Sequence, residues 1–596
     1  MTLRIADSRR LTGPSLLLDV PGAVLDVETG DADIGVVIAA WRSALERMLP
    51  AVGWSNAVIA SRSWSPAAGA SLAYSAPADA LYAATEVNEW AFSAARAGLT
   101  GSAANAQDTV LARSLEGHAG ESFEEAAARL RAAIAGEQDA ELMAIAEEAG
   151  RRGITFLADD RRVSIGLGQG SRSWPADDLA ARARVPWDGT HDIPVALVTG
   201  TNGKSTTVRL LAAIAEAAGQ VAGTTSTDGV SVGSETVARG DYSGPNGARS
   251  VLRDRRVEVG ILELARGGIL RRGLAIPHAT AALVTNVAND HLGEFGVYDL
   301  ETLADVKMVV AKAVGPGGRV VLNADDPRLL ARGRALNVPV TWFSLDPSNP
   351  VLRAHVAADG HACWLEGDRL VRWRHGGRDI VTSLDQVPIT FGGAARHNIA
   401  NALAAIGLAN ALGFEVEAIA RGLASFQSSS DANPGRANVW DLGGITAIVD
   451  FAHNPHGLLA MAAMARAVPA ERRALVIGQA GDRDDEAIRE LAHAAWTLRP
   501  DRIFVKEMEI YLRGRERGVV PAMIDRTLRE AGAPAEAIEH CDSELSAVRR
   551  ALEWARTGDL LLLTTHAERE AVIALLQELQ TRGWTAGSGF ASLSAP

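Results

Sequence analysis

Eight residues constrain this chain more than any others. Val198-Thr-Gly-Thr-Asn-Gly-Lys-Ser205 follow an apolar run, IPVALVTG, and open a helical pattern, STTVRLLAAIAEAAG. A buried strand that turns through glycines straight into a helix predicts an α/β layer with an anion site at the turn. The backbone N–H groups of Gly200, Thr201, Asn202 and Gly203 can wrap a phosphate, helped by the helix N-terminus. Lys204 then sets its ammonium against the outer phosphates, Ser205 can ligate Mg2+, and Thr206 completes the first turn. The two glycines stand closer together than in the strict phosphate-loop pattern, so the preceding strand and following helix carry the assignment.

The same alternation continues on both sides. VEVGILELA, ATAALVTNV and GRVVLNADD are apolar runs between helical stretches, which predicts a parallel sheet covered on both faces. Residues 351–390 carry short alternating segments around Asp359-Gly360 and Gly376-Gly377 and read as an antiparallel insertion. A helix over His397–Leu412 closes this part, and after Pro434-Gly435 a second α/β series begins. Upstream, Glu121–Gly150 reads as a helix with a Ser122/Glu125 capping box. The glycines of Ile165–Ser171 are a weak dinucleotide signal, because no long amphipathic helix follows them. The fold class is therefore α/β: an N-terminal domain over 1–171, a linker over 172–192, a central phosphate-loop domain over 193–432 and a Rossmann-like C-terminal domain over 433–596. That agrees with the three or four domains that 596 residues suggest at about 100–200 residues each.

Composition narrows the function classes. Hydrophobic and charged fractions of 47% and 22% are globular values. Two cysteines, Cys363 and Cys541, build neither a disulfide scaffold nor a multi-cysteine zinc site. A net charge of −13 argues against a general nucleic-acid binder. No apolar run reaches the ~18 residues of a membrane span, and MTLRIADSRRL meets charge early, so the expectation is a cytoplasmic protein with neither nucleic-acid nor membrane partner. Of 59 basic residues only four are lysine: Lys204, Lys307, Lys312 and Lys506. Arginine replaces lysine on a solvated face, but it cannot lose its proton or take up CO2, so the surviving lysines are candidates for chemistry, with Lys312 read as the ordinary one.

Glu263 ends an apolar strand, where a carboxylate is costly unless it faces a site. Asn286, Asp290 and His291 lie just past another, in TNVANDHLG. Alone, His291 reads as a loop histidine and Lys307 as a solvated helix lysine.

The form Gly200-Thr-Asn-Gly-Lys-Ser205 resembles the loop of the Mur ligases and folylpolyglutamate synthetases, ATP-dependent ligases that join a carboxylate to an amine. Ile261–Leu270, Gly240–Pro245 and Asn433-Pro-Gly-Arg436 most resemble the Mur-ligase half of the cyanophycin synthetases. Residues 1–171 resemble their N-terminal domain, while the ATP-grasp domain that separates the two parts in that family is missing here. The resemblance implies an amide ligase that works through an acyl phosphate, with ATP and Mg2+ as cofactors. It implies metal ligation by Ser205, Glu263, His291 and a carbamylated Lys307, with Lys204, Glu263, His291 and Lys307 as the catalytic group. It places Asn323 and Asn398 near the adenine, Arg436 at the phosphates and Asp450 at the ribose. Asp241, Arg266, His453, Lys506, Glu507, Glu509 and Arg513 are then the substrate-side residues. The substrates implied are an amino acid, arginine among the candidates, and a carboxylate such as an aspartate side chain in a peptide or a small acid. Around Lys506 the spacer Met508-Glu-Ile-Tyr511 runs longer than in the cyanophycin synthetases, which leaves arginine itself open. A folylpolyglutamate-like or peptidoglycan-precursor ligase, a silent Mur-like binding protein and a homo-oligomer all stay open at this stage.

Overall fold

The structure, a computed structural model, describes residues 3–65, 68–100, 121–178, 185–429 and 433–588. Four sheets organise them. The first is four-stranded and antiparallel, with Gly22–Glu28 and Gly69–Ser75 at its centre. The helices Ile34–Ala51, Leu81–Thr100 and Phe123–Glu137 cover it around Trp41, Leu72 and Phe92. The expected Glu121–Gly150 helix is two helices, Phe123–Glu137 and Ala140–Arg151. Ser122 caps the first through the anticipated capping box. Asp139 ends the continuity by accepting from the Leu142 N–H as a new N-cap.

A three-stranded sheet follows, and its last strand, Arg172–Pro175, occupies the start of the expected linker. Residues 179–184 of that linker lie outside the described residues.

The central sheet has eleven strands. Seven consecutive ones are parallel: Ala222–Thr225, Val259–Glu263, Val195–Thr199, Ala279–Val284, Val314–Asn323, Val340–Ser344 and Ala362–Glu366. Hydrophobic clusters fill both faces, which explains why these strands read as unbroken apolar runs. The 351–390 segment is not a separate insertion. Ala362–Glu366 pairs parallel with Val340–Ser344, and Arg369–Arg374 and Gly377–Ser383 extend the same sheet antiparallel. The hairpin at Gly376 only reverses the chain at the sheet edge.

The last sheet has six strands, five of them parallel, with the antiparallel Asn438–Leu442 at one edge. Among the described residues no helix is long and apolar enough to cross a membrane.

Candidate active site

The phosphate loop leaves the carboxyl end of Val195–Thr199, between neighbours Val259–Glu263 and Ala279–Val284. Ligands of parallel sheets sit at such strand ends. The loop is held from one side: Asn286 O accepts from Thr201 N (2.9 Å), Asn286 Oδ1 accepts from Asn202 N (3.0 Å), and Thr285 Oγ1 donates to Asn202 O (2.7 Å). Gly200 (φ 143°) and Gly203 (φ 88°) have backbone angles that side chains rarely adopt. A Cβ at either would run into Thr285 or Asn401. The helix Lys204–Ala217 starts at once, and Lys204 Nζ donates to the Gly200 (3.1 Å) and Thr201 (2.9 Å) carbonyls.

A cleft of about 1490 Å³ opens in front of this loop. Gly200–Thr206, Asp241, Glu263, Arg266, His291, Lys307, Arg436, His453 and Arg513 line it. Glu263 ends its strand at 1% exposure, and neither carboxylate oxygen has a hydrogen-bond partner. Burial pushes its pKa up, opposed by Lys204, Ser205, Arg436 and Arg209. A buried carboxylate whose oxygens are left without a hydrogen bond can serve as an oxygen ligand. Lys307, on the helix Leu300–Met308, is 3% exposed, and burial together with Lys204 lowers its pKa to about 7, against Asp290.

His291 lines the same cleft. Its backbone is left-handed (φ 53°), and Arg266 donates to its carbonyl. Burial drops its ring to about 4 despite Asp290, and Arg483 Nη2 donates to Nε2 at 2.8 Å. Asp290, His291 and His453 bring ligand-type atoms within 4.8 Å of one another. Although burial raises Asp290, His453, His291 and Arg483 hold it well below the carboxylate range.

The C-terminal part completes the cleft. Asn202 Nδ2 reaches Asn454 Oδ1 (3.2 Å) and His456 Nδ1 (2.9 Å). Arg569 meets Asp228 at 2.9 Å, and Asp228 also holds Arg209 at 2.7 Å. Arg436 stacks over Phe451, 4.8 Å to the ring centroid. Arg209, Asp228, Arg483 and Arg569 escaped the sequence reading. Each is an ordinary charged residue in its own segment, and only tertiary pairing marks it.

Six expected site residues are not on the cleft walls. Asn323 Nδ2 donates to Thr285 O (3.1 Å), which braces the strand behind the loop. Asn398 is buried, donating to Ile389 O and accepting from Asn401, the side chain under Gly203. Asp450 accepts from Ala437 N at 2.8 Å, and burial raises its pKa against Arg436. Lys506 and Glu507 are not placed to meet a substrate. Lys506 is sealed in an ion pair with Glu544, and Glu507 accepts from Met508 N and Gly518 N. Glu509 is exposed beside the cleft-lining Tyr511, and Arg513 pairs with Asp482. Lys312 bonds Ser15 O (2.8 Å) and Asp19 (2.7 Å), tying the N-terminal part to the centre.

The Mur ligase middle domain matches residues 198–409, and the Mur ligase, glutamate ligase domain matches residues 435–566. Cyanophycin synthetase of Trichormus variabilis is 38% identical over 387 residues, 65% of this chain and 43% of that protein. Cyanophycin synthetase of a Synechocystis species is 39% identical over 380 residues, 64% of this chain and 43% of its own length. The chain thus matches under half the length of these relatives. The UDP-N-acetylmuramoylalanine–D-glutamate ligase of Chromobacterium violaceum is 29% identical over 387 residues, covering 65% of this chain and 72% of that one. With both family domains in order around one phosphate-loop cleft, the chain belongs to the Mur ligase family.

Proposed function

We propose that this chain is an ATP-dependent acid–amine ligase. A carboxylate oxygen attacks the terminal phosphorus of ATP, the bond to ADP breaks, and an acyl phosphate forms. The amine nitrogen then attacks the acyl carbon, the C–O bond breaks, phosphate leaves, and the nitrogen loses a proton to give the amide. The observation that carries this reading is Glu263. It is a fully buried carboxylate with no partner, in the same cleft as a phosphate loop and a lysine lowered to about 7.

The loop N–H groups and Lys204 bind the outer phosphates, and Arg436 approaches them from the C-terminal domain. Asp450, held by Ala437 N beside Arg436, supports the ribose side from behind the wall, as Asn323 and Asn398 support the adenine side. The orphaned Glu263 and neighbouring Ser205 suit Mg2+, a cation that prefers oxygen ligands. Lys307 joins them as a carbamate, which a neutral amine forms with CO2. His291 suits this set less directly, because Arg483 engages its Nε2. When bound, the metal supplies charge neutralisation between two anions. On the substrate side, Arg513 is assigned to the α-carboxylate of the incoming amino acid, and the exposed Glu509 is open to a cationic side chain such as that of arginine. Asp241 and Arg266 face the acceptor. The carboxylate is that of a peptide or small acid made by another enzyme.

The test is an ADP-release screen that crosses amino acids against carboxylate acceptors, with Lys204→Ala as control. Release that needs one acid and one amine, and a product of matching mass, is expected. ADP release indifferent to every amine, or none at all, would sink the proposal.

A further inference from the structure

His291 and Lys307 are joined by a loop over residues 292–299 and the helix Leu300–Met308, which Asp299 caps by accepting from Thr302 N (2.7 Å). In the loop Phe295, like His291, has left-handed backbone (φ 53° for both), a conformation that a side chain disfavours. Two main-chain bonds close the loop on itself, Gly293 N to Val297 O (2.8 Å) and Val297 N to Glu294 O (3.1 Å). Further support comes from outside it. Arg266 grips one end, at Glu294 and at the His291 carbonyl. The N-terminal sheet holds the other. Arg62, on the edge strand Ile59–Trp64, donates to Gly296 O at 2.8 Å. Trp64 of the same strand stands 6.3 Å from the Tyr298 ring, and so close to Gly296 that a Cβ there would overlap it. The strand Arg4–Leu11 lines the cleft with Asp7, Ser8 and Arg9. Its Arg9, anchored by Asp26 (2.5 Å), lies 4.8 Å from the Phe295 centroid. Burial lowers the Arg62 pKa, opposed by Asp26 of its own sheet and by Asp299 and Asp305 at the helix that carries Lys307.

We propose that Arg62 is a positioning residue: from the N-terminal domain it holds residues 292–299 in the shape that places His291 and Lys307 in the cleft. The proposal rests on the acid–amine ligase reading for the chemistry that these two serve. The Gly296 carbonyl lies five residues after His291 and three before the Asp299 cap, so one hydrogen bond constrains both neighbours. A charged donor on a carbonyl is among the stronger hydrogen bonds and fixes direction, whereas the ring contacts of Phe295 and Tyr298 mainly fill space. A loop with strained backbone and few bonds of its own opens at low free energy once such an outside bond is lost. Ile59–Trp64 pairs only with Gly69–Ser75, so a change at Arg62 leaves the centre of the N-terminal sheet in place.

The experiment measures hydrogen exchange on the full chain, together with ADP release for the acid–amine pair that the screen identifies. The variants are Arg62→Ala, Arg62→Lys and Lys312→Gln, the last removing a contact between the same two domains that does not touch the loop. In Arg62→Ala the amides of residues 292–299 should exchange about tenfold faster while those of Ala279–Val284 hold, and kcat should fall about tenfold while KM for ATP moves less than about twofold. Arg62→Lys keeps a charged donor and should recover part of both losses. Lys312→Gln should change neither. Unchanged loop exchange in Arg62→Ala would overturn the proposal, as would a loosened loop with full kcat. An equal loss in Lys312→Gln would reduce the effect to domain packing and overturn it as well. Exchange over Gly69–Ser75 reports whether the N-terminal sheet stays folded. Where Arg62→Ala loosens it, Arg62→Lys decides: loop protection and kcat recovered together support the proposal, and recovery of neither on an intact sheet refutes it. Faster loop exchange in Arg62→Ala, without ADP release from the unsubstituted chain for any acid–amine pair, would keep the clamp while removing the ligase reading.

Discussion

Replacing Lys506 with methionine separates a structural lysine from a substrate-binding one. Its ammonium lies 2.6 Å from Glu544, both side chains at 0% exposure, and also meets Thr564 O at 2.5 Å and His566 Nδ1 at 3.1 Å. Glu544 in turn accepts from the backbone of His566 (2.7 Å), Ala567 (3.2 Å) and Glu568 (2.9 Å), which shapes the turn that enters the cleft. Removing the cation leaves a buried carboxylate with amide donors but no counter-charge. Breaking such a pair from one side costs about 3–5 kcal/mol. Lys506→Met/Glu544→Gln carries no buried charge and should recover much of that loss. The assay is urea unfolding with hydrogen exchange over residues 438–581, so that the loss is assigned to the C-terminal sheet rather than the whole chain. A loss below about 1 kcal/mol combined with a tenfold rise in KM for the amine would refute the structural assignment and restore Lys506 to the substrate.

Three further outcomes follow from the same contacts. Glu263→Gln removes a desolvated, unpartnered charge, so the melting temperature should hold or rise while ADP release falls by about a hundredfold or more; a destabilised, active variant would contradict this. Lys307→Arg keeps a cation but cannot lose its proton, and should also lose activity about a hundredfold in the ADP-release assay; retention of a tenth of the rate would show that no amine chemistry is needed. Burial holds His361 and His397 at about 4 in the folded chain, whereas an unfolded imidazole titrates near ~6.5. The unfolded state therefore binds more protons between those values, so stability is full above pH ~6.5 and declines as pH falls toward ~4. Urea midpoints at pH 7.5 and 5.5 should differ in that direction, and His397→Gln should narrow the difference.

Where a local pattern carries the physics, the fold and the loop were legible. IPVALVTG is buried at every strand position, and Gly200 and Gly203 stand where backbone approach demands glycine. The placement of Glu263 in the cleft was legible for the same reason, since a carboxylate closing an apolar strand is costly unless it faces a site. Lys506 closes an apolar strand too, and there the inference misled: its counter-charge comes from Glu544, 38 residues on, through a helix that local sequence cannot orient. Scarcity pointed to the lysines; Lys312, read as the ordinary one, anchors the N-terminal part, and Lys506 is an anchor as well. Arg483, Asp228 and the reach of the N-terminal strand into the cleft were invisible, because each depends on pairing across more than a hundred residues of chain.

The most direct measurement follows an oxygen. With the acceptor carboxylate labelled with 18O, phosphoryl transfer to the acid predicts that the released phosphate carries one labelled oxygen while the amide keeps the other. Unlabelled phosphate, formed at the same rate as the product, would mean that the acid is never phosphorylated.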